Sequence, residues 1–386
     1  MYPLLYWISI FCGAMALGAL AFQALCLMGA WDFRGQKTPP GGARLPVSIL
    51  KPLKGADPEM YEGFRSHCVQ DYSDYEIIFG VNEAGDAAVP FVEKLKAEFP
   101  HVPIKLMVCN EVLGANRKVS NLAQMLKQAK YDHVVINDSD IRVPRDYLRR
   151  VMAWFAPEVD GQKVGMVTCL YRAIAGRTWW SKMESLGVTM DFMPPVLAAR
   201  YLEGRVYFGL GSTMAVSKSA VEAMGGLESI ADYLADDYEL ATRIADAGYT
   251  VVLGDVVVET YVADYNFKQF FDHQVRWGRA VRSSRPGGYA GVAVTFGLFW
   301  SLLAIVTSGG AGWSWVVLGV NLVARLGVTQ VVGIGIVQHK QAWSLIWMMP
   351  LRDLLAPVIW LLSLGGGTVV WRGETFRLRG GKLFPR

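Results

Sequence analysis

Two long uncharged stretches bracket the chain, and short apolar runs alternate with amphipathic ones between them. Residues 2–31 carry no charged side chain. Wound as a helix, about 20 such residues cross the hydrocarbon core of a bilayer. A cleaved signal peptide has a basic start and a shorter apolar run, and this segment has neither. A retained transmembrane helix over 1–31 is therefore expected. Charge disappears again over 286–324, and Arg325 interrupts the next stretch. Segments near 289–308, 313–337 and 343–370 are each apolar enough to enter a membrane. The last contains Pro350, Arg352 and Asp353. An Arg–Asp pair at membrane depth is costly and normally faces protein or a cavity, so this segment is expected to be kinked or re-entrant.

The middle of the chain has a different rhythm. Apolar runs at 46–50, 76–81, 104–108 and 133–137 read as short strands. Helical patterns fall between and after them, at 58–69, 88–98, 119–129 and 237–247. This alternation predicts an α/β domain with a mostly parallel sheet and helices on both faces. Ligands of such sheets bind beyond the carboxyl ends of the strands. The plan is thus a transmembrane helix at 1–31, a basic linker at 32–45, an α/β domain at 46–285, membrane segments at 286–370 and a basic tail at 371–386.

Composition supports this plan. Of 386 residues, 52% are apolar and 19% charged, against about 25% charged in a soluble domain. The net charge of +4 carries no global argument, and no nucleic-acid partner is expected. The basic residues do cluster. Arg34, Lys37, Arg44, Lys51 and Lys54 follow the first apolar stretch, and Arg276, Arg279, Arg282 and Arg285 precede the second. They suit either a headgroup-facing surface or phosphate binding. Lys and Arg collect on the cytoplasmic side of a membrane, which places the α/β domain, and the basic tail, in the cytosol. Three simple spans after the domain would put the tail on the opposite side; a re-entrant last segment reconciles the two. The five cysteines form no CxxC pair, so no disulfide framework or zinc site is indicated.

Several polar motifs sit at the ends of the predicted strands. Asp138-Ser139-Asp140 follows the apolar run 134–136, and two carboxylates at i and i+2 there suit one divalent cation. Mg²⁺ and Mn²⁺ prefer oxygen ligands and share them with substrate phosphates. Such triplets also occur in ordinary loops. Asp236-Asp237-Tyr238-Glu239 opens a helix, where Asp is also a common cap; Asp237 is the candidate general base. In His273-Gln274-Val275-Arg276-Trp277, Arg276 suits a diphosphate and Trp277 the wall of an acceptor pocket, though both types favour a membrane interface. Gly114-Ala115-Asn116-Arg117-Lys118 reads as a flexible basic loop where amides and Lys118 would hold an anion, or as a plain loop and cap. Glu83 would accept from a nucleobase or ribose, or stand as a surface carboxylate. Residues 179–201 are apolar with scattered charges, fitting either the headgroup layer or ordinary core.

Taken together and in this order, the motifs resemble the processive-type inverting glycosyltransferases of the GT-A fold. The chain is most similar to the ceramide glucosyltransferase family and its bacterial hopanoid-glycosyltransferase relatives. The similarity runs from Val47-Ser48-Ile49-Leu50-Lys51-Pro52-Leu53-Lys54-Gly55 to Trp371-Arg372-Gly373. The family's first acidic position, its DxD-like position, its third Asp and its (Q/R)xxRW motif fall on Glu83, on Asp138 with Asp140, on Asp237, and on His273 through Trp277. The resemblance implies a GT-A domain, Mg²⁺ or Mn²⁺ on Asp138 and Asp140, and Asp237 as base. Glu83, Lys118, Asp138, His273, Arg276 and Trp277 would hold a UDP-sugar donor. The acceptor would be a lipid hydroxyl, on ceramide or a polyhydroxylated hopanoid, and the bilayer that of a bacterial inner membrane. Glu83 replaces the family's Asp. His273 replaces Gln or Arg and, with Gly114 to Leu122, points to the hopanoid branch. A processive polysaccharide synthase of the same fold is the alternative. A scaffold that binds nucleotide sugars without transfer would tolerate changes at Asp138, Asp140 and Asp237.

Overall fold

A computed structural model describes residues 3–40, 44–57, 59–159, 161–371 and 374–385. Met1, Tyr2 and Arg386, residues 41–43 of the expected linker, Pro58 at the start of an expected helix, and the Arg372-Gly373 end of the resemblance lie outside the described residues. The chain forms two compact units. The sheet unit holds residues 36–172, 203–263 and 376–386, and the helical unit holds 1–35, 173–202 and 264–375. The division is not sequential. Residues 173–202 and 264–285, inside the expected α/β domain, belong to the helical unit, while most of the expected tail belongs to the sheet unit, in a small sheet of its own.

The sheet unit is built on the four strands legible in sequence. They are β1 (Val47–Pro52), β2 (Tyr75–Val81), β3 (Ile104–Val108) and β4 (His133–Ile136). Every residue of β1 and β2 is buried, as continuous apolar runs in a parallel sheet require. The four pair in parallel in the order β3-β2-β1-β4. The chain then adds β5 (Ile141–Arg142), the two-residue β6 (Glu158–Val159), β7 (Gln162–Ala175), β8 (Met214–Ser217) and β9 (Thr250–Val262). These extend the sheet as β4-β8-β7-β9-β5. β8 lies antiparallel to both β4 and β7, and β5 antiparallel to β9. The parallel half is thus the expected one, and an antiparallel half is added to its β4 side.

That junction is pinned by Asn137, which is fully buried just past β4. Its Nδ2 donates to the hydroxyl of Tyr147 at 3.0 Å and to the carbonyl of Ser212 at 2.6 Å. An amide buried there without partners would cost roughly 1–3 kcal/mol. Satisfied, it ties the exit of β4 to the turn before β8.

Among the described residues of the helical unit, three helices are long and apolar enough to cross a membrane: Pro3–Arg34, Gly312–Ile336 and Lys340–Leu364. A pair, Pro286–Thr295 and Gly297–Thr307, is bent by 52°. The first helix turns its small residues inward. Cys12, Ala16, Ala19, Cys26 and Ala30 are buried, while Leu4, Trp7, Phe11, Leu17 and Trp31 are exposed. This inverts the soluble pattern and suits helices packed in lipid, where small residues allow close approach. The segment 173–202 joins this unit because Met183, Leu186 and Met190 pack with Phe270, Met348 and Met349 in one buried cluster.

The Arg–Asp pair expected at membrane depth is met by protein. Arg352 donates to Asp191 Oδ2 at 2.8 Å and to Gln274 Oε1 at 2.7 Å. Arg325 binds Asp353 Oδ1 at 2.8 Å and also pairs with Asp191. The helix Met349–Leu364 carries Pro357 in its interior, a residue that removes one helical hydrogen bond. Removing one partner of a buried ion pair strands the other and costs about 3–5 kcal/mol. Arg325→Met is therefore expected to lower the thermal midpoint in detergent clearly, and Arg325→Met with Asp353→Leu to recover part of the loss. A single variant as stable as the parent would sink this account of the charges.

Candidate active site

Asp138 leaves the end of β4 with its side chain 41% exposed, so it reaches out of the sheet. Its Oδ1 lies 2.8 Å from the ammonium of Lys118, which also contacts Asp236 Oδ2 at 3.0 Å. Lys118 is delivered by the helix Arg117–Gln128, whose start is capped by Asn116: the Asn116 side-chain oxygen accepts from the amide of Val119 at 3.2 Å. Asp236 and Asp237 occupy the first turn of the helix Asp236–Asp246, where the helix dipole favours negative charge. Asp237 does not cap that helix through Ala235. Its Oδ1 accepts from the amide of Tyr238 at 2.8 Å and its Oδ2 from that of Gly211 at 3.0 Å.

Gly211 is where the carboxylates meet. A Cβ at this position would lie 3.2 Å from Asp138 Oδ2 and 3.4 Å from Asp237 Oδ2. The bare backbone lets the two acids approach a common space. Beneath them, the fully buried Lys51 donates to the carbonyl of Asp138 at 3.0 Å. Asp140 accepts from the hydroxyl of Thr260. Ser139 donates to Asp57 Oδ2 at 2.5 Å.

The electrostatics follow from burial and crowding. Burial, then repulsion from Asp236 and Asp138, pushes Asp237 up to about 6 against the opposing pull of Lys118. Asp140 is pushed up to about 6 by burial and by Asp138. Burial lowers Lys51 to about 7 although Asp140 and Asp138 pull it up. Burial also opposes the charge on Lys118, but Asp138, Asp236 and Asp237 overcome it and hold the ammonium protonated. Among the described residues, no group of three or more His, Cys, Asp or Glu side chains is arranged to hold a metal. The donors present still fit a hard divalent cation. They are carboxylate oxygens, and the charge of Asp138 adds to burial in raising Asp140.

Of the residues singled out in sequence, Lys118, Asp138 and Asp237 converge here, with Asp140 two residues beyond Asp138. Glu83 is exposed after β2. Nearby, the buried Asp86 carboxylate accepts from the amides of Gly55, at 3.0 and 3.1 Å, and of Ala88, at 2.9 Å. His273, Arg276 and Trp277 belong to the helical unit. There His273 Nδ1 lies 3.1 Å from Glu184 Oε1, and Gln274 donates to Glu184 Oε2 at 2.7 Å. Burial opposes the charge on Glu184, yet His273, Arg352 and Gln274 hold its carboxyl below the usual range. Trp277 packs on the rings of His273 and Phe192, at centroid distances of 5.1 and 5.6 Å. Lys51, Asp236, Gly211 and Glu184 were not singled out as site residues. Two of them had a signal in sequence: a lysine inside an apolar strand, and a lone carboxylate between Trp180 and Met190.

The profile of glycosyl transferase family 21 matches residues 11–384. The chain belongs to glycosyl transferase family 21. It is a glycosyltransferase. Among family relatives, ceramide glucosyltransferase 3 of Caenorhabditis elegans is 24% identical over 367 residues, covering 88% of this chain and 74% of that protein. Ceramide glucosyltransferase 1 of the same organism is 24% identical over 356 residues, covering 87% and 72%. Beta-monoglucosyldiacylglycerol synthase of Synechocystis is 26% identical over 244 residues, covering 59% and 47%. A solved mannosyltransferase of Pyrobaculum calidifontis, in complex with GDP-Man and Mn²⁺, superposes with a TM-score of 0.50 at 19% identity, covering 91% of this chain and 99% of that one. That likeness bears on the fold, and the fold of this family 21 member is GT-A-like.

Gly211→Ala tests the convergence. The added methyl must displace one carboxylate by a few tenths of an ångström. Sugar transfer is expected to fall about tenfold or more, with the thermal midpoint little changed. Full activity in this variant would show that the two acids do not need to share that space.

Proposed function

We propose that this glycosyltransferase moves a hexose or N-acetylhexosamine from a UDP-sugar to the hydroxyl of a membrane lipid, with inversion at the anomeric carbon. The observation that carries this reading is the pair of carboxylates, Asp138 and Asp237, brought to one space over Gly211 and bridged through Lys118 and Asp236. One acid can meet a metal–diphosphate while the other meets a nucleophile. The relatives' names support a lipid acceptor, since ceramide and diacylglycerol are lipids. The nucleotide sugar and Mn²⁺ named with the Pyrobaculum enzyme support the donor class and a divalent cation.

In this mechanism Asp237 accepts the proton of the lipid hydroxyl as its oxygen attacks the anomeric carbon, and UDP departs from the opposite face. The Gly211 amide orients the Asp237 carboxylate. Asp138 and Asp140 would hold Mg²⁺ or Mn²⁺, which neutralises the leaving diphosphate. Lys118, which here pairs with Asp138, would meet phosphate oxygen if a cation took up that carboxylate. Glu83, His273, Arg276 and Trp277 keep their donor or acceptor roles on the strength of the motif alone.

Topology supports a single-sided site. The chain leaves the sheet unit after Ala263 and rejoins it at Phe376, so the intervening segments cross the membrane an even number of times. Two spans, Gly312–Ile336 and Lys340–Leu364, satisfy this if the bent pair Pro286–Thr307 enters and leaves on one face. The re-entrant role thus moves from the last segment to the first. The basic residues after the first helix support a cytosolic face, and the membrane in this reading is a bacterial inner membrane.

The reading is tested with detergent-purified protein and Mg²⁺ or Mn²⁺. UDP-glucose and UDP-N-acetylglucosamine are crossed with ceramide and a polyhydroxylated hopanoid, and the lipids are read by mass spectrometry. One sugar on one lipid is expected; a ladder of added sugars would favour a polymer synthase, and no lipid-dependent UDP release from any pair would overturn the acceptor class. Asp237→Asn keeps the shape and loses the base, so turnover should fall roughly 100-fold or more. The base is active only when ionised. With Asp237 pushed up to about 6, kcat should hold above that pH and drop about tenfold per unit below it. A flat profile between pH 5 and 7 (the window spanning that value) argues against a carboxylate base here.

A further inference from the structure

The last strands of the chain end against the loop that leads into Asp236 and Asp237. Strands Glu374–Arg379 and Lys382–Pro385 pair antiparallel through a two-residue Gly380-Gly381 turn. Both glycines have positive φ, 55° and 78°, as the tightest hairpin turns require. The outer edge of Lys382–Pro385 does not stop at its partner strand. The amide of Leu383 donates to the carbonyl of Asp232 at 2.7 Å, and the amide of Leu234 donates to the carbonyl of Gly381 at 3.0 Å. These two bonds make Tyr233 and Lys382 an antiparallel bridge. Leu383 is 2% exposed, so the contact is buried. The Tyr233 ring lies between two cations, with Lys382 and Arg243 each 5.2 Å from its centroid.

The same loop is held from its other side by the segment that delivers Lys118. The amide of Asn116 donates to the carbonyl of Ala231 at 2.7 Å, and its side chain donates to that of Tyr233 at 2.8 Å. The amide of Ala115 donates to Asp232 Oδ1 at 3.0 Å. Residues 231–234 are therefore the middle layer of a three-segment stack, with 115–116 on one flank and 381–383 on the other. Asp236 and Asp237 begin two residues beyond that layer. Five hydrogen bonds to an otherwise irregular loop fix where the helix Asp236–Asp246 starts, and hence where its first-turn carboxylates stand relative to Lys118 and Asp138.

We propose that the C-terminal hairpin is a positioning strap for the catalytic carboxylates: residues 381–383 clamp the 231–234 loop against Asn116 and so complete the active site from the far end of the chain. Leu383 and Lys382 touch no reacting group in this account; they act through Tyr233 and the loop. The inference rests on the reading of Asp237 as the base. It explains why a membrane enzyme whose last long helix ends at Leu364 returns its tail to the sheet unit. A strap of this kind sets the geometry of the transfer step and leaves donor affinity to the strand ends.

The test replaces Leu383 by proline in the enzyme, which deletes the N–H donated to the Asp232 carbonyl. Leu383→Val keeps that N–H and is the conservative comparison. Steady-state kinetics with donor varied are read beside amide hydrogen exchange. Leu383→Pro should lower kcat about tenfold or more with donor KM within about twofold. Faster exchange should appear at 231–234 and not in β1–β4, and Leu383→Val should keep the parent's rate. Unchanged kcat in Leu383→Pro overturns the proposal. So does exchange that rises throughout the sheet, because the hairpin then serves global stability. Asp237→Asn is assayed in parallel. If it retains turnover, the base reading itself has failed. If it is inactive while Leu383→Pro turns over normally, the strap alone is refuted.

Discussion

The ammonium of Lys118 is the constraint on which the site depends. Three carboxylates, Asp138, Asp236 and Asp237, act on it at once, and in a partly buried setting they would repel one another strongly without it. At an effective dielectric of about 20, two unit charges 4 Å apart interact by about 4 kcal/mol. One cation among three anions leaves net negative charge. Burial, with that surplus added to it, lifts Asp237 toward neutrality. A general base works best when its affinity for the proton lies near the working pH, and this arrangement moves an aspartate in that direction.

Lys118 can hold this place only because other elements fix its surroundings. Asn116 caps its helix and at the same time bonds the loop before Asp236. Asn137 ties the exit of β4 to Ser212, the neighbour of Gly211. Each is a buried amide with its donors and acceptor in use, so each carries position from one segment to another at little energetic cost. Asp138 and Asp237 come from separate segments, and these amides tie those segments to their neighbours.

The helical unit meets a different solvent and obeys different rules. Its first helix hides alanine, cysteine and glycine and shows leucine, phenylalanine and tryptophan. Six of its polar side chains form one chain of contacts, from Glu184 through Gln274 and Arg352 to Asp191, Arg325 and Asp353. In this chain the motif residue Gln274 contacts both a carboxylate and a guanidinium. The motif thus has a packing role within the helical unit whatever its terminal residues, Arg276 and Trp277, meet at the substrate.

By itself the sequence determined what local periodicity and residue chemistry can determine. The uncharged runs gave the membrane helices, and the apolar runs before Lys51, Val81 and Asn137 gave the parallel strands. Asp138, Asp237 and Lys118 stood out as chemistry at the ends of those elements, because their placement follows from neighbours in the chain. Only the tertiary structure decided the rest, since it depends on contacts between residues far apart. β7 opens on Gln162-Lys163 and β9 is broken by Gly254-Asp255, and both take their places in the sheet by pairing. Asp140 is bonded by Thr260, a partner 120 positions away. Residues 173–202 leave the sheet for the helices because their methionines find a core there. The tail returns to Tyr233 through two backbone bonds, and backbone donors and acceptors are the same at every position, so no residue type announces them.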